Sequence, residues 1–320
     1  MSPRIDSPVA ITVAVPTFNG AERLPRLLEH LQAQTETTHM QWEILIVDNN
    51  SQDNTADVVN QYQVNWPLAA PLKYCLESRQ GAAFARQRAI QEAKGTLVGF
   101  LDDDNLPAAD WVAEAVKFGQ RYPQAGAFSG PIAGNYEVEP PAGFDQIKAY
   151  LAIRNHGSEV MAFEPDKLRL PPAASLVVRK AAWLESVPSE PIFVGRLKGP
   201  WMIGGEDYEV LLHLHQAGWQ ILYDPALQTS HQISRDRFER SYLLRLARGC
   251  GLTTCQLMLI STPGWYQPLK VGRVFLGSLR RLCQHTLKYK LHSRQELATA
   301  FEFEFHLGSL LSPFFVRRWS

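Results

Sequence analysis

At 320 residues, 45% hydrophobic and 20% charged, the chain can bury a sizeable core, and no low-complexity tract or internal repeat interrupts it, which excludes a disordered or fibrous protein. Its formal net charge of zero gives no reason to expect a nucleic-acid partner, but the charge is unevenly spread: 14 Lys+Arg stand against 5 Asp+Glu from Arg235 onward, and 18 against 27 before it, so the two parts carry −9 and +9. An acidic front suits a cation, and a basic tail suits an anionic surface. Cys75, Cys250, Cys255 and Cys283 form no CxxC pair or metal-finger spacing, which fits a reducing compartment and gives them no chemical role. The opening MSPRIDSPVA lacks the basic, apolar and small-residue succession of a signal peptide, so a cytoplasmic location is expected.

In chain order, 11–17 (ITVAVPT) and 43–48 (EILIVD) read as short buried strands. Between them ERLPRLLEHLQAQ places leucines at 24, 27, 28 and 31, a helical stripe. The alternation continues with a helix near 52–62, a strand near 72–76, a helix over 81–94 and the strand TLVGFL ending at Leu101. Such an order predicts an α/β fold: a Rossmann-like, mainly parallel sheet flanked by helices. Ligands of such sheets bind beyond the carboxyl ends of strands. Polar clusters stand there: Pro16 to Asn19, Asp48 to Ser51, and Asp102 to Asn105. Further strands are expected in 126–140 and 173–179, a helix over 204–218 entered through a glycine pair, and a last strand at 221–225. After His231 the pattern turns to basic helices. In VGRVFLGSLRRLCQHTLKY, Val271, Val274, Phe275, Leu279, Leu282 and Thr286 form one stripe. The boundary falls near 235, with a basic, mainly helical C-terminal extension over 236–320.

The segment FLDDDN sets three carboxylates in a row after an apolar strand, an arrangement that repulsion disfavours unless something compensates. Helix capping explains one of them, and a solvated acidic loop is the second reading. The third is a site for a hard cation: in an extended chain Asp102 and Asp104 point to one side and Asp103 to the other, and two such carboxylates suit Mg²⁺ or Mn²⁺.

Taken together, four segments resemble those of family 2 glycosyltransferases, inverting enzymes of the GT-A fold. They are VAVPTFNG, ILIVDNNSQDNT, RQGAAFARQRAIQEAKGTLVGFLDDDN and GGEDYEVLLHLHQAGW, in that order over about residues 11–235. The resemblance implies a catalytic domain over 1–235, with a nucleotide-sugar half to about 105 and an acceptor half from 106. It implies that Pro16 and Thr17 lie against uracil and ribose, with Asn19 in the same nucleotide group, and that Asp48 accepts the uracil imide N–H. Arg79, Arg86, Asp102 and Asp103 would lie near the nucleotide and diphosphate, although an exposed helical arginine is an equally good reading of Arg86. Asp104, with Asp102 and His231, would hold the metal. Asp207 would be the base that an inverting transfer needs, supported by Glu206; the plain alternative is that both carboxylates favour the positive end of a helix. Gly204 and Gly205 would let the acceptor approach the backbone, and Trp201 would stack on it. The chain departs from the family pattern at His213, where Arg is usual, and at Gln87, where Asn is usual.

The resulting expectation is a metal-dependent, inverting transferase moving a sugar from a UDP-sugar to a glycan or lipid-linked glycan in polysaccharide synthesis. The alternative is a non-catalytic nucleotide-sugar or glycan binder on the same fold. A nicotinamide dehydrogenase is excluded because VAVPTFNG lacks the glycine-rich turn. In the tail, the uncharged stretch 249–269 is too interrupted to span a bilayer. It either packs on the catalytic domain or lies in the membrane interface, with Trp265 and Tyr266 at headgroup depth beside basic residues.

Overall fold

The computed structural model describes residues 8–195, 201–289 and 295–316. The first half follows the expected alternation: β1 (Ile11–Thr17), α1 (Leu24–Gln32), β2 (Trp42–Asp48), α2 (Thr55–Val64), β3 (Leu72–Leu76), α3 (Ala82–Glu92) and β4 (Leu97–Phe100). Then come β5 (Asn105–Pro107), α4 (Trp111–Arg121), β6 (Ala125–Ser129), β7 (Ile132–Tyr136), β8 (Met161–Ala162), β9 (Leu176–Arg179), α5 (Lys180–Ser186), α6 (Glu206–Gln216), β10 (Gln220–Tyr223) and β11 (Thr229–Ile233). The large sheet has the order β3-β2-β1-β4-β9-β6-β10-β8. It is parallel from β3 to β4 and between β6 and β10, while β9 runs antiparallel to both of its neighbours.

Strand alternation divides the core into two layers. Ile11, Val13 and Val15 of β1 pack with Leu24, Leu27, Leu28 and Leu31 of α1 and with Trp111. Ala14 faces the other way, onto Ala85 and Ala89 of α3 and Leu211 and Leu212 of α6. All four α1 leucines are fully buried, each worth about 1.5–3 kcal/mol. Both layers bring their loops to the carboxyl ends of β1, β2 and β4.

Two strand expectations are corrected. The stretch 126–140 is two strands, β6 and β7, divided at Gly130 and Pro131, where proline has no N–H to continue a ladder. Nor is β10 the last strand: β11 follows and pairs with β5 and β7 in a separate three-stranded sheet. Its sequence, TSHQI, is polar, which hid a strand whose alternate residues Thr229, His231 and Ile233 are buried.

The C-terminal helices are α7 (Arg240–Ile260), α8 (Gln267–Tyr289) and α9 (Leu297–Leu311). Leu243 and Leu246 of α7 and Phe301 of α9 share a buried cluster with Phe144, Ile147 and Leu151, so these helices pack against the segment that follows β7. α7 and α9 approach closely at Gly251, where a Cβ would stand 2.3 Å from the Phe305 carbonyl. α7 ends before Pro263 and Gly264, and among the described residues no helix is long and apolar enough to cross a membrane. The buried face of α8 is Val274, Ser278 and His285, whereas Leu279 of the expected stripe is exposed. Packing against α9 selects that face.

Asp224, just after β10, is a buried carboxylate. Its Oδ1 accepts the Ala226 N–H at 3.0 Å, while Oδ2 has no partner among the described residues. Burial pushes its carboxyl up to about 6. The folded chain therefore binds this proton more tightly than the unfolded chain, so the ionised group lowers stability at neutral pH and the loss is recovered as pH falls through about 6. Asp224→Asn should raise the unfolding free energy from urea titration at neutral pH, by at most about 3 kcal/mol, and flatten the gain on acidification. No gain at neutral pH would mean that the carboxylate is well solvated.

Candidate active site

The three carboxylates do not alternate as in a strand, because the chain turns immediately after β4: the Asn105 N–H donates to the Asp102 carbonyl at 2.9 Å. The turn sends each side chain toward a different cation. Asp103 takes Arg23 in a two-pronged pair, Nε to Oδ1 at 2.7 Å and Nη2 to Oδ2 at 2.9 Å, and Oδ2 also accepts the Thr17 hydroxyl at 2.6 Å. Asp102 lies 3.4 Å from Arg86. Asp104 lies 3.3 Å from His231 Nε2 and 3.6 Å from Arg237.

Burial pushes the carboxyls of Asp102 and Asp103 above their ordinary value, with Arg86 and Arg23 pulling the other way. Burial also acts on Asp104, but His231, Arg237 and Arg23 outweigh it and hold that carboxyl low. At His231 burial opposes the charge, and Asp104 more than offsets it.

Arg86, the residue that could have been an idle surface arginine, is buried and central. Its Nη1 reaches Asp207 Oδ1 at 2.9 Å and Glu206 Oε1 at 3.4 Å, and its Nη2 reaches Asp102. Burial disfavours its charge, but Asp207, Asp102 and Glu206 together hold the guanidinium firmly protonated. Asp207 Oδ2 also accepts the Ala173 N–H at 2.9 Å, so both oxygens are positioned. The glycine pair has a conformational reason: Gly205 enters α6 at φ +113°, a left-handed conformation that side chains resist.

Pairing of β11 with β5 sets His231 opposite Asn105 and so beside Asp104. His231 Nδ1 lies 2.9 Å from the Leu151 carbonyl, which can only accept, so Nδ1 carries a proton and Nε2 faces Asp104. A carbonyl that fixes the tautomer in this way is the support a metal-binding imidazole requires. Five carboxylates (Asp102, Asp103, Asp104, Glu206, Asp207) share three guanidiniums (Arg23, Arg86, Arg237) and His231. The carboxylate and imidazole donors are of the kind that fit a hard divalent cation. The expected three-residue ligand set is not assembled, however. Among the described residues no three such side chains are grouped to hold a cation, and Asp102 is drawn to Arg86. Asp104 and His231 are the pair that remains, leaving other positions to water and phosphate oxygens.

These groups line one cavity of about 1140 Å³, larger than the roughly 300–1,000 Å³ of a single-ligand pocket. Pro16, Thr17, Arg86, Asp102, Asp103, Asp104, Gly204, Gly205, Glu206, Asp207 and His231 all reach it. Four predicted residues do not. Asp48 gives Oδ1 to the Ser51 N–H and Oδ2 to the Tyr74 hydroxyl, both at 2.8 Å, and burial with this bond pushes Tyr74 up to about 12. Asn19, at φ +50°, ties two loops together by accepting the Gln52 N–H and donating its own N–H to Ser51. Arg79 pairs with Glu77 at 3.0 Å and lies over Phe84. Trp201 packs near Arg248 and Phe315. The aromatic walls are instead Tyr150, Phe163, Tyr208 and Phe305.

Sequence reasoning missed Arg23, Asn49 and the wall formed by α7. Asn49 accepts the Gly81 N–H at 2.7 Å and donates to the carbonyls of Glu77 and Arg79, fixing the loop before α3. It sits in the second polar cluster, so its position was the available signal. Cys250, Thr253, Thr254 and Leu257 of α7 recur on one helical face and line the cavity.

Residues 12–181 match the family model described as Glycosyl transferase family 2, and the chain belongs to that family. The architecture is the GT-A fold. The mannosyltransferase PcManGT of Pyrobaculum calidifontis, solved with GDP-Man and Mn²⁺, superposes with a TM-score of 0.59 at 18% identity over 97% of this chain and 90% of that one. Glycosyltransferase AglE of Haloferax volcanii is 28% identical over 146 residues, 45% of each chain. Succinoglycan biosynthesis protein ExoM of Rhizobium meliloti is 22% identical over 264 residues, 82% of this chain and 79% of that one. The chain thus covers less than half the length of AglE.

Arg86 is buried and compensates partly buried carboxylates from two segments, so its loss leaves them without a counter-charge. Arg86→Met should cost about 3–5 kcal/mol in urea unfolding at neutral pH. A cost below about 1 kcal/mol would show that water in the cavity already screens these charges.

Proposed function

We propose that the chain is a metal-dependent, inverting glycosyltransferase that moves a hexosyl unit from a UDP-sugar to a hydroxyl of a glycan or lipid-linked glycan in polysaccharide synthesis. One observation carries this reading: the carboxylate turn after β4 and the carboxylate pair opening α6 face one cavity and share Arg86. A donor site and a base are thereby held in fixed relation, as a displacement at the anomeric carbon requires.

In this reading Pro16 and Thr17 border the nucleotide, while Arg23, by holding Asp103, keeps the β1 and β4 ends together. Asp104 and His231 would hold Mg²⁺ or Mn²⁺, which supplies neutralisation of the charge developing on the departing diphosphate. Asp207 takes the proton from the acceptor hydroxyl as its oxygen attacks the anomeric carbon from the face opposite the diphosphate. Arg86 and the Ala173 N–H aim the Asp207 carboxylate, and Glu206 shares the same guanidinium. The nucleotide half is about 1–105, and the acceptor half is about 106–235, to which we add the cavity face of α7. ExoM acts, by its name, in succinoglycan biosynthesis, which supports a polysaccharide setting.

The test offers a panel of UDP- and GDP-sugars with Mg²⁺ or Mn²⁺ and follows donor hydrolysis and transfer. Asp207→Asn should bind donor as the wild type does and lose transfer by about a hundredfold or more. Loss of donor binding instead would make Asp207 a donor-site group. Asp104→Asn should reduce metal-dependent turnover by about a hundredfold or more, and unchanged turnover at limiting Mn²⁺ would remove Asp104 from the site. Donor binding without any turnover across the panel would favour a non-catalytic binder.

A further inference from the structure

We propose that the outer face of α8 and the turn before it form a docking surface for an anionic lipid bilayer. α8 carries five cationic residues and no acidic one. Val274, Ser278 and His285 turn inward toward the body of the protein. Opposite them, Leu269, Leu276 and Leu287 are 57%, 65% and 77% exposed. Their spacings of 7 and 11 residues, about two and three turns, keep them on one line along the helix. Trp265, in the turn from α7, is 84% exposed, and Phe314 beyond α9 is 66% exposed. The three leucines left this open along one line of a helix require an explanation that scattered ones do not.

The cations are ordered with respect to this line. Arg273 and Arg280 follow Leu269 and Leu276 by four residues, so they stand along one flank, and both are exposed. Arg281 and Lys288, seven residues apart, form a second exposed row farther from the leucine line. Leucines inserted at the acyl boundary with arginines and lysine beside them at headgroup level match an interfacial helix, and Trp265 is the side chain that favours this depth. A second copy of the chain fits less well. Two such faces placed together would bring Arg273 and Arg280 near their own counterparts, and α8 offers no carboxylate to pair with them. Anionic headgroups supply that missing charge.

The surface is joined to the cavity by α7, which lines the cavity at Cys250 and Leu257 and ends at Ile260, just before the Trp265 turn. About 15 Å of helix separates Cys250 from that end. An acceptor anchored in the bilayer would be presented along this wall. That consequence rests on the transferase reading, whereas docking itself rests on α8 alone, and the two are measured separately.

The experiment is co-sedimentation of the full chain, without donor or metal, with vesicles of phosphatidylcholine and of phosphatidylcholine mixed with phosphatidylglycerol. Anionic vesicles should carry down about tenfold more protein than neutral ones at low salt, and added salt should reduce the difference. Leu276→Glu with Leu287→Glu, and separately Arg273→Glu with Arg280→Glu, should each lower binding about tenfold or more. Both pairs should keep the wild-type urea midpoint and rate of donor hydrolysis, which excludes misfolding. Wild-type protein left in the supernatant with anionic vesicles would overturn the proposal. So would undiminished binding by both variant pairs. A wild-type dimer that the leucine substitutions convert to monomer, without vesicle binding, would assign the face to a second copy instead.

Discussion

Holding three consecutive carboxylates in one turn, with Asp103 buried, Asp104 largely so and Asp102 partly open to the cavity, is the constraint around which this molecule is arranged. One cation could not compensate all three, because neighbouring side chains leave the backbone in different directions. The chain answers with four partners drawn from three widely separated segments: Arg23 before α1, Arg86 in α3, and His231 and Arg237 in and beyond β11. Each partner must be delivered by a complete structural element. The order of strands in the large sheet and the existence of the small one can be read as means of bringing these cations to one place.

The pairs are not equivalent. Asp103 has both oxygens occupied by Arg23 and Thr17, which suits a group that closes the structure. Asp104 is held low by groups that include an imidazole whose other nitrogen is engaged with a backbone carbonyl, which suits a group that can exchange partners. Asp102 shares Arg86 with Glu206 and Asp207, so a change of charge at one end of the cavity is felt at the other. At contact distances inside a protein such coupling is worth several kcal/mol before screening.

How much of this was legible depended on whether the signal was local. The strands 11–17 and 72–76 and the leucine stripe of α1 appear where periodicity puts them, because burial on one or both faces leaves a pattern in the sequence itself. The carboxylate turn and the GGED segment were likewise visible as motifs. Strand β11 was not, since TSHQI has no apolar alternation and its hydrogen bonds go to β5 and β7, formed about a hundred residues earlier. Arg23 looked like one more polar residue before a helix, and its partner lies 80 positions away. Trp201 was favoured for its ring, but stacking on a sugar depends on where a loop goes, and this one leads to Arg248 and Phe315. Long-range pairing is the common feature of what could not be read.

The division of charge along the chain also acquires a physical sense. The acidic excess of the first part includes six carboxylates that line one cavity, while the basic excess of the tail includes the five cations of α8. Were the two sets adjacent, the arginines of α8 would compete with a divalent ion for the carboxylate turn, and screened attraction over a few ångströms would favour the tethered competitor. α7 prevents this. It is anchored in the core through Leu243, Leu246 and Leu252, contributes an uncharged cavity wall of Cys250, Thr253, Thr254 and Leu257, and only then leads to the turn before α8. The arginines of α7 all precede Gly249, so the part of the helix that lines the cavity and leads toward α8 is uncharged, and the tail brings one cation, Arg237, to the carboxylate turn.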